Sequence, residues 1–248
     1  MTKLAITATA LTALTLLPAC AQDSSASAST NDMTKAEVEE IVRDYILENP
    51  EIVEDALIAL QAQRESEAEE AQRSAILANA DGLYSFETDY SIGPDNAAVT
   101  IVEFFDYRCG FCKRSVDEVA ALPVKFDGDV RVVFKELPIL SPESRQAALA
   151  ALAAGKQGKY LDMHVAMMSE NSSLSNPEIN RIAASIGVDV EQMRNDMQSA
   201  EVLQQLADSE ALARKLDVSG TPAFFIGEHF INGANLPLLN RLINEELG

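Results

Sequence analysis

Residues 98–112 read Ala98-Val-Thr-Ile-Val-Glu-Phe-Phe-Asp-Tyr-Arg-Cys109-Gly-Phe-Cys112, an apolar stretch typical of a buried strand that runs directly into a C-x-x-C pair. A helix is predicted to start at this pair. Backbone amides and the positive end of a helix dipole favour a thiolate at that place, so the pKa of the first cysteine falls below its free value of about 8.5. We therefore predict that Cys109 is the exposed nucleophile and that Cys112, one turn further on and facing inward, is the resolving thiol.

Glu103 lies in the middle of the apolar strand, where an unpaired carboxylate is expensive to bury. Because the strand is apolar on both faces, as a central parallel strand is, we interpret Glu103 as a proton acceptor for Cys112. The alternative is that strand alternation turns Glu103 toward solvent. Lys135, in Phe134-Lys-Glu-Leu-Pro, is a candidate partner for Glu103.

The sequence gives little support for a metal site. Structural zinc needs a tetrahedral set of Cys and His ligands, and beyond the C-x-x-C pair the chain has only Cys20, His164 and His229. His164 is expected to be a packed core histidine, and His229 is expected to be exposed without a role. Three methionines, Met163, Met167 and Met168, offer soft ligands for copper, but methionines at helical spacing usually fill a core. We predict no cofactor and no metal.

The first twenty residues are typical of a signal peptide, with Lys3 followed by an apolar run that is too short to span a bilayer. Leu17-Pro-Ala-Cys20 is typical of a lipoprotein leader with Cys20 as the lipidated residue, whereas Ala19-Cys-Ala21 fits soluble release. Residues 21–32 are rich in Ser and Ala and are predicted to form a flexible tether. We expect a protein of the periplasm or cell envelope, anchored through a lipid if Cys20 is modified.

The chain is strongly acidic, with 19 Lys and Arg against 39 Asp and Glu and a net charge of −20 at pH 7. Nucleic acid is excluded as a partner because no basic patch exists that could release counterions from phosphate.

Residues 33–82 are predicted to form an amphipathic helical region. Apolar residues recur at a spacing of three and four from Val38 to Leu60, Thr34 and Glu37 match a capping box, and Asn49-Pro50 divides the pattern into two helices. Residues 61–73 are almost wholly polar and are predicted to be a solvated spacer. The apolar stripe either folds back on the rest of the chain or pairs with the same stripe in other subunits.

The remaining pattern predicts an α/β fold. Strands are predicted at 98–105, 129–135, 223–226 and 229–232, with a helix from Cys109 and a closing helix over 236–247. Residues 141–218 are predicted to form about four helices, with cap-plus-proline starts at Ser141-Pro142 and Asn176-Pro177.

Three motifs stand in one order: Phe104-Phe-Asp-Tyr-Arg-Cys-Gly-Phe-Cys112, Phe134-Lys-Glu-Leu-Pro-Ile-Leu140 and Ser219-Gly-Thr-Pro-Ala-Phe-Phe-Ile-Gly227. The sequences of these motifs and their order resemble the DsbA-like thioredoxin superfamily. The resemblance covers residues 83–248. The resemblance implies a thioredoxin fold with an inserted helical domain. It also implies that Pro222 is cis and faces the cysteines, with Thr221, Gly110 and Phe111 contacting substrate; an ordinary trans proline that opens a strand is the alternative.

Residues 38–57 resemble the N-terminal oligomerisation region of the ScsC (copper-sensitivity suppressor C) proteins, some of which are trimers. This resemblance favours a homo-oligomer over helices packed on their own domain.

The activity implied by both resemblances is thiol-disulfide exchange with cysteine-containing client proteins. Gly110-Phe111 between the cysteines and Thr221 before Pro222 resemble the isomerase and reductase branch, which would be kept reduced by a membrane thiol reductant. A DsbA-like oxidase is the alternative, since Arg108 and Lys113 could lower the pKa of Cys109 further. A second alternative is a Cu(I)-binding protein of copper tolerance.

Overall fold

A computed structural model describes residues 33–84 and 88–248 of the chain. The predicted leader (1–20), with Cys20, and the tether (21–32) lie outside these residues. The chain divides into two compact units, one ending at Leu57 and one running from Ile58 to Gly248. Within the described ranges, no helix combines the length and apolar character that crossing a membrane requires.

Two helices follow Thr34: α1 (Lys35–Glu48) and α2 (Glu51–Ala78). The capping box forms, because the Glu37 amide donates to Thr34 Oγ1 at 3.3 Å and the Thr34 amide donates to Glu37 Oε2 at 2.8 Å. The break at Asn49-Pro50 is also present, since Asn49 ends α1 with its backbone amide bonded to the Tyr45 carbonyl. No side chain of α1 is buried, so its apolar residues remain exposed.

The sheet has five strands: β1 (Tyr90–Ile92), β2 (Val99–Phe105), β3 (Val130–Glu136), β4 (Ala223–Ile226) and β5 (His229–Asn232). Their order is β1-β3-β2-β4-β5, with β2 and β3 parallel and the other pairs antiparallel. The four predicted strands are found within one residue of their expected ends. The sequence did not indicate β1, which is only three residues long.

The helices of the second unit, besides the greater part of α2, are α3 (Ala80–Tyr84), α4 (Gly110–Lys125), α5 (Pro142–Gly155), α6 (Tyr160–Ser169), α7 (Asn176–Ser185), α8 (Val190–Asp196), α9 (Ala200–Lys215) and α10 (Leu236–Leu247). The segment predicted to hold about four helices holds five, because Asp189 caps the short α8 after the turn at Gly187. The start predicted at Asn176 is displaced by one residue, since the cap is Ser175.

Strand β2 is buried on both faces, as the apolar sequence predicted. Val99, Ile101 and Phe105 pack in one core with the helical insert, whereas Val102 and Phe104 pack in a second core with α3 and α9. Glu103 alternates with Val102 and Phe104 and therefore belongs to the face that carries α4 and the insert. The architecture is a thioredoxin-like sheet with a helical insertion and an N-terminal helical segment, which confirms the predicted fold class.

Candidate active site

Cys109 is the N-cap of α4, and its sulfur accepts a hydrogen bond from the Cys112 amide at 3.4 Å. When protonated, the Cys109 thiol donates to the carbonyl of Thr221 at 3.1 Å, and no disulfide joins the two cysteines. Cys109 is 5% exposed and Cys112 is 1% exposed. The expectation of an exposed Cys109 is therefore wrong in degree, because the Thr221 backbone lies against the sulfur and narrows its access.

The site lowers the pKa of Cys109 to about 5. A hydrogen bond from the Cys112 thiol is the largest cause, and the Thr221 side chain and the amides of Cys112 and Phe111 add to it, while burial opposes it. The Cys112 and Phe111 donors lie in the first turn of α4, where unpaired amides and the helix dipole stabilise an anion. Cys109 is thus a thiolate at neutral pH.

Cys112 has the opposite environment. Its hydrogen bond to Cys109, its burial and the negative charge of Glu103 all raise the pKa of the Cys112 thiol. One cysteine of the pair is therefore ionised while the other keeps its proton, which is the division of roles needed for attack followed by resolution.

Glu103 is 3% exposed and lines a small cavity with Cys112 and His164. Burial, and then the charge of Cys109, raise the pKa of the Glu103 carboxyl to about 8. The alternative that Glu103 faces solvent is wrong. A buried carboxyl that titrates near neutrality beside a buried thiol can exchange a proton with it.

Lys135 does not pair with Glu103. Its ammonium forms an ion pair with Asp89 and donates to the Gly82 carbonyl at 3.4 Å. In the sheet Lys135 is registered with Phe104, so its side chain emerges on the face opposite to Glu103.

A buried polar cluster that sequence reasoning missed lies behind the site. The hydroxyls of Tyr107 and Tyr160 both donate to Glu136 Oε1 at 3.0 Å, and the Tyr107 hydroxyl lies 3.2 Å from His164 Nδ1. Burial raises the pKa of Glu136 well above its ordinary value and lowers the pKa of His164 to about 3, so the His164 ring is neutral at pH 7. His164 is a packed core histidine, as predicted, and the cluster anchors the segment before Cys109 through Tyr107.

Asp106 is a second residue that the sequence did not single out. Its buried carboxylate accepts from the Arg108 amide at 2.6 Å, from the Ser144 hydroxyl at 2.7 Å and from the Leu140 amide at 3.0 Å. It thereby ties the turn before Cys109 to the loop that leads into α5. The only signal was its position in the Phe-Phe-Asp-Tyr run next to the cysteines.

The peptide bond between Thr221 and Pro222 is cis, as the resemblance implied. Between the cysteines, Gly110 and Phe111 are exposed, Phe111 by 59%, and the Arg114 guanidinium lies 4.4 Å from the centre of the Phe111 ring. Lys113 instead points to the insert, where its ammonium donates to the carbonyls of Met167, at 3.3 Å, and Glu170.

Of the candidate copper ligands, Met168 lines the same small cavity as Glu103 and Cys112. Met163, Met167 and Met168 are buried in the core that contains the insert. His229 is exposed, as expected. Among the described residues, no group of three or more His, Cys, Asp or Glu side chains is arranged to hold a metal ion.

Two protein families match separate regions of the chain. The family of DSBA-like thioredoxin domains matches residues 100–240, and the family of copper resistance protein ScsC N-terminal domains matches residues 35–67. A thioredoxin-like oxidoreductase from Silicibacter pomeroyi is 38% identical, with a TM-score of 0.63 over 68% of this chain and 98% of that chain. Proteus mirabilis ScsC, solved in a transitional conformation, is 30% identical, with a TM-score of 0.63 over 88% of this chain and 99% of its own.

Several curated proteins that resemble part of this chain are Na⁺/H⁺ antiporters. The Na⁺/H⁺ antiporter NhaA 1 of Mycobacterium sp. (strain KMS) is 31% identical over 144 residues, which are 56% of this chain and 24% of that protein. The chain thus spans about a quarter of the length of the curated relatives it matches. The match to residues 100–240 covers more than half of the chain, and the protein therefore belongs to the DSBA-like thioredoxin domain family.

Proposed function

We propose that this protein is an exported thiol-disulfide oxidoreductase that acts as a disulfide isomerase or reductase on cell-envelope proteins. The observation that carries the proposal is the position of Cys109, whose sulfur caps α4, lies 3.1 Å from the Thr221 carbonyl beside cis Pro222 and has a pKa lowered to about 5. A thiolate is the nucleophile in disulfide exchange, and about 99% of a group with that pKa is ionised at pH 7.

The reaction starts when the Cys109 thiolate attacks one sulfur of a client disulfide. The client S–S bond breaks, a Cys109–client disulfide forms and the other client cysteine leaves as a thiolate. In isomerisation a client thiolate attacks the mixed disulfide and releases Cys109 unchanged. In reduction the Cys112 thiolate attacks Cys109, the client leaves with two thiols, and the Cys109–Cys112 disulfide must be reduced by a membrane thiol reductant.

Glu103 supplies the proton transfer that resolution needs. Cys112 has a raised pKa and must lose its proton before it can attack, and Glu103 is the carboxyl that lines the same cavity. With its pKa near 8, a fraction of Glu103 is ionised at neutral pH and can accept this proton.

Peptide clients are expected to bind beside the cis proline. Pro222 has no amide hydrogen, and the Thr221 backbone next to it faces Cys109, so an extended client segment can pair there while Gly110 and Phe111 contact its side chains.

Two features of the site bear on whether the protein reduces and isomerises client disulfides or forms them. Gly110-Phe111 lacks a histidine that could add charge to the thiolate, which favours isomerase or reductase. A pKa of about 5 for Cys109 lies between the values of about 7 for thioredoxin and about 3.5 for DsbA, and strong stabilisation of the thiolate is what makes a disulfide oxidising. A DsbA-like oxidase is therefore the second candidate.

A Cu(I)-binding role through the same thiols is the third candidate, supported by the match of residues 35–67 to a copper resistance domain.

Self-association through α1 and the first part of α2 completes the proposal. Apolar side chains on these helices are exposed, among them Ile41 by 56% and Tyr45 by 57%, and the ScsC N-terminal domain matches the same residues. An oligomer such as a trimer would gather several Cys109 sites around one client. Export through the leader, with or without a lipid on Cys20, places these sites in the envelope.

Trapping distinguishes these functions. In full-length Cys112→Ala, incubation with a scrambled multi-disulfide protein should accumulate mixed disulfides on non-reducing gels, and dithiothreitol should release them. Cys109→Ala is the matched control and should trap nothing. If Cys112→Ala traps no client but binds less Cu(I), the copper function replaces the enzyme.

Two further measurements separate isomerase from oxidase. An isomerase reactivates the scrambled protein faster than it oxidises the reduced one, and its cysteine pair is reduced in cells. A pair found oxidised in cells, together with faster oxidation, supports the oxidase.

A further inference from the structure

The surface around Cys109 has a charge opposite to that of the rest of the chain. Residues 108–114 contain three of the 19 Lys and Arg residues and no acidic residue, whereas the whole chain has a net charge of −20. Of these three cations, Lys113 is held by carbonyls of the insert, but Arg108 and Arg114 are exposed. Two cations are therefore available to a molecule that approaches Cys109.

Arg114 lies directly over the residues between the cysteines. Its guanidinium carbon is 4.4 Å from the centre of the Phe111 ring, and a Cβ added at Gly110 would lie 3.4 Å from Arg114 Nη1. Stacking on the ring keeps the guanidinium in place and leaves its N–H groups free for a carboxylate.

An apolar pair continues this surface on the side of the insert. Ile139 and Leu140 are exposed by 46% and 53%. The carboxylate of Asp106 bonds the amides of both Arg108 and Leu140, at 2.6 and 3.0 Å, so these two residues are neighbours with a fixed spacing. We name this surface the docking rim: Arg108, Phe111, Arg114, Ile139 and Leu140.

An acidic side chain lies near the cations of the rim. Glu143, in the first turn of α5, is exposed, and its pKa is lowered by its own backbone amide, by Ser141 and, to a smaller extent, by the charge of Arg108. Its negative charge partly offsets the positive charges of Arg108 and Arg114 and so weakens the attraction of the rim for an anion.

We propose that the docking rim selects client segments in which the target cysteine is flanked by acidic and apolar residues. This inference rests on the proposed function, because the rim acts on clients that Cys109 attacks. The Cys109 thiolate displaces the client's partner sulfur as a thiolate and forms the mixed disulfide, and the rim binds the flanking side chains during that step. The negative net charge of the whole chain predicts faster reaction with basic clients, whereas the docking rim predicts faster reaction with acidic ones. The two effects therefore differ in sign.

Single-turnover kinetics test the proposal on the full-length Cys112→Ala protein. The probes are cysteine heptapeptides activated as mixed disulfides with thionitrobenzoate, whose release is followed by absorbance. Their flanks are glutamate with leucine, lysine with leucine, or serine with leucine. Each rate constant is divided by the rate constant of the same peptide with uncharged dithiothreitol, which removes intrinsic differences in reactivity.

At low salt the glutamate peptide should react about fivefold faster than the lysine peptide, which is what two exposed ion pairs supply. In about 1 M salt, where the screening length is about 3 Å, the ratio should fall toward one. Arg108→Gln with Arg114→Gln should abolish or invert the preference, and Glu143→Gln should increase it. Arg241→Gln, which removes an exposed arginine of α10, is the matched control and should leave the ratio unchanged.

Equal rates for the two charged peptides, or a faster lysine peptide, would overturn the inference while leaving the proposed function intact. Failure of the proposed function looks different, because all peptides, including the serine one, would then react with the natural reduced protein no faster than with an ordinary thiol.

Discussion

Replacing Glu103 by Gln should stabilise the reduced protein, and the gain should grow with pH. The folded state raises the pKa of Glu103 to about 8, from about 4.3 for an ordinary glutamate, so the unfolded chain loses this proton more readily. With the folded pKa raised, the stability that the protonated group contributes is complete below pH 4 and is lost as pH rises toward 8. Each pH unit in this window costs about 1.4 kcal/mol, which amounts to about 3.5 kcal/mol at pH 7.

Guanidinium unfolding of the reduced protein at pH 5, 6, 7 and 8 measures this difference. The free energy of unfolding of Glu103→Gln minus that of the natural protein should rise by about 1.3 kcal/mol between pH 5 and 6 and again between pH 6 and 7. Glu69→Gln, a change at an exposed glutamate of α2, is the control and should show no such slope. A difference for Glu103→Gln that stays constant across this range would refute the reasoning that burial holds a proton on this carboxyl.

Three other substitutions test separate contacts. Asp106→Asn places an amide group next to the three donors that now bond to the carboxylate, and it should lower the free energy of unfolding by about 2 kcal/mol. The control is Asp117→Asn, a change at an exposed carboxylate of α4. If Asp106→Asn costs no more than this control, Asp106 does not hold the turn before Cys109 to the loop before α5. Gly155→Ala should cost about 1–3 kcal/mol in the same assay because the new Cβ would lie 2.0 Å from the Tyr90 hydroxyl, whereas Gly82→Ala, with its nearest contact at 3.6 Å, should cost less than about 1 kcal/mol. Ile41→Glu should convert an oligomer to monomers in sedimentation experiments, and an unchanged mass would remove α1 from the interface.

The reactive pair could be located from sequence because its chemistry is local. A strand followed by C-x-x-C at a helix start determines which cysteine caps the helix and which faces inward, and both positions were predicted. The exposure of Cys109 was overestimated because Thr221, the residue that narrows its access, lies 112 positions later in the chain.

The remaining errors have a common cause in strand register. Glu103 pairs with Phe134 and not with Lys135, so a shift of one residue separates a candidate ion pair onto opposite faces of the sheet. The same parity puts Glu136 on the face of Glu103, where Tyr107 and Tyr160 meet it. Periodicity within a strand cannot reveal which residue of a neighbouring strand lies beside it, so this cluster and the Asp89–Lys135 pair required the structure.

The thiolate of Cys109 can be measured directly by following the absorbance of the reduced protein at 240 nm as a function of pH, with Cys109→Ser as the blank. The account predicts a transition centred near pH 5, lost in the blank, because the Cys112 thiol and the amides at the start of α4 stabilise the anion. A transition centred at about pH 8.5, the value of an unperturbed cysteine, would contradict it.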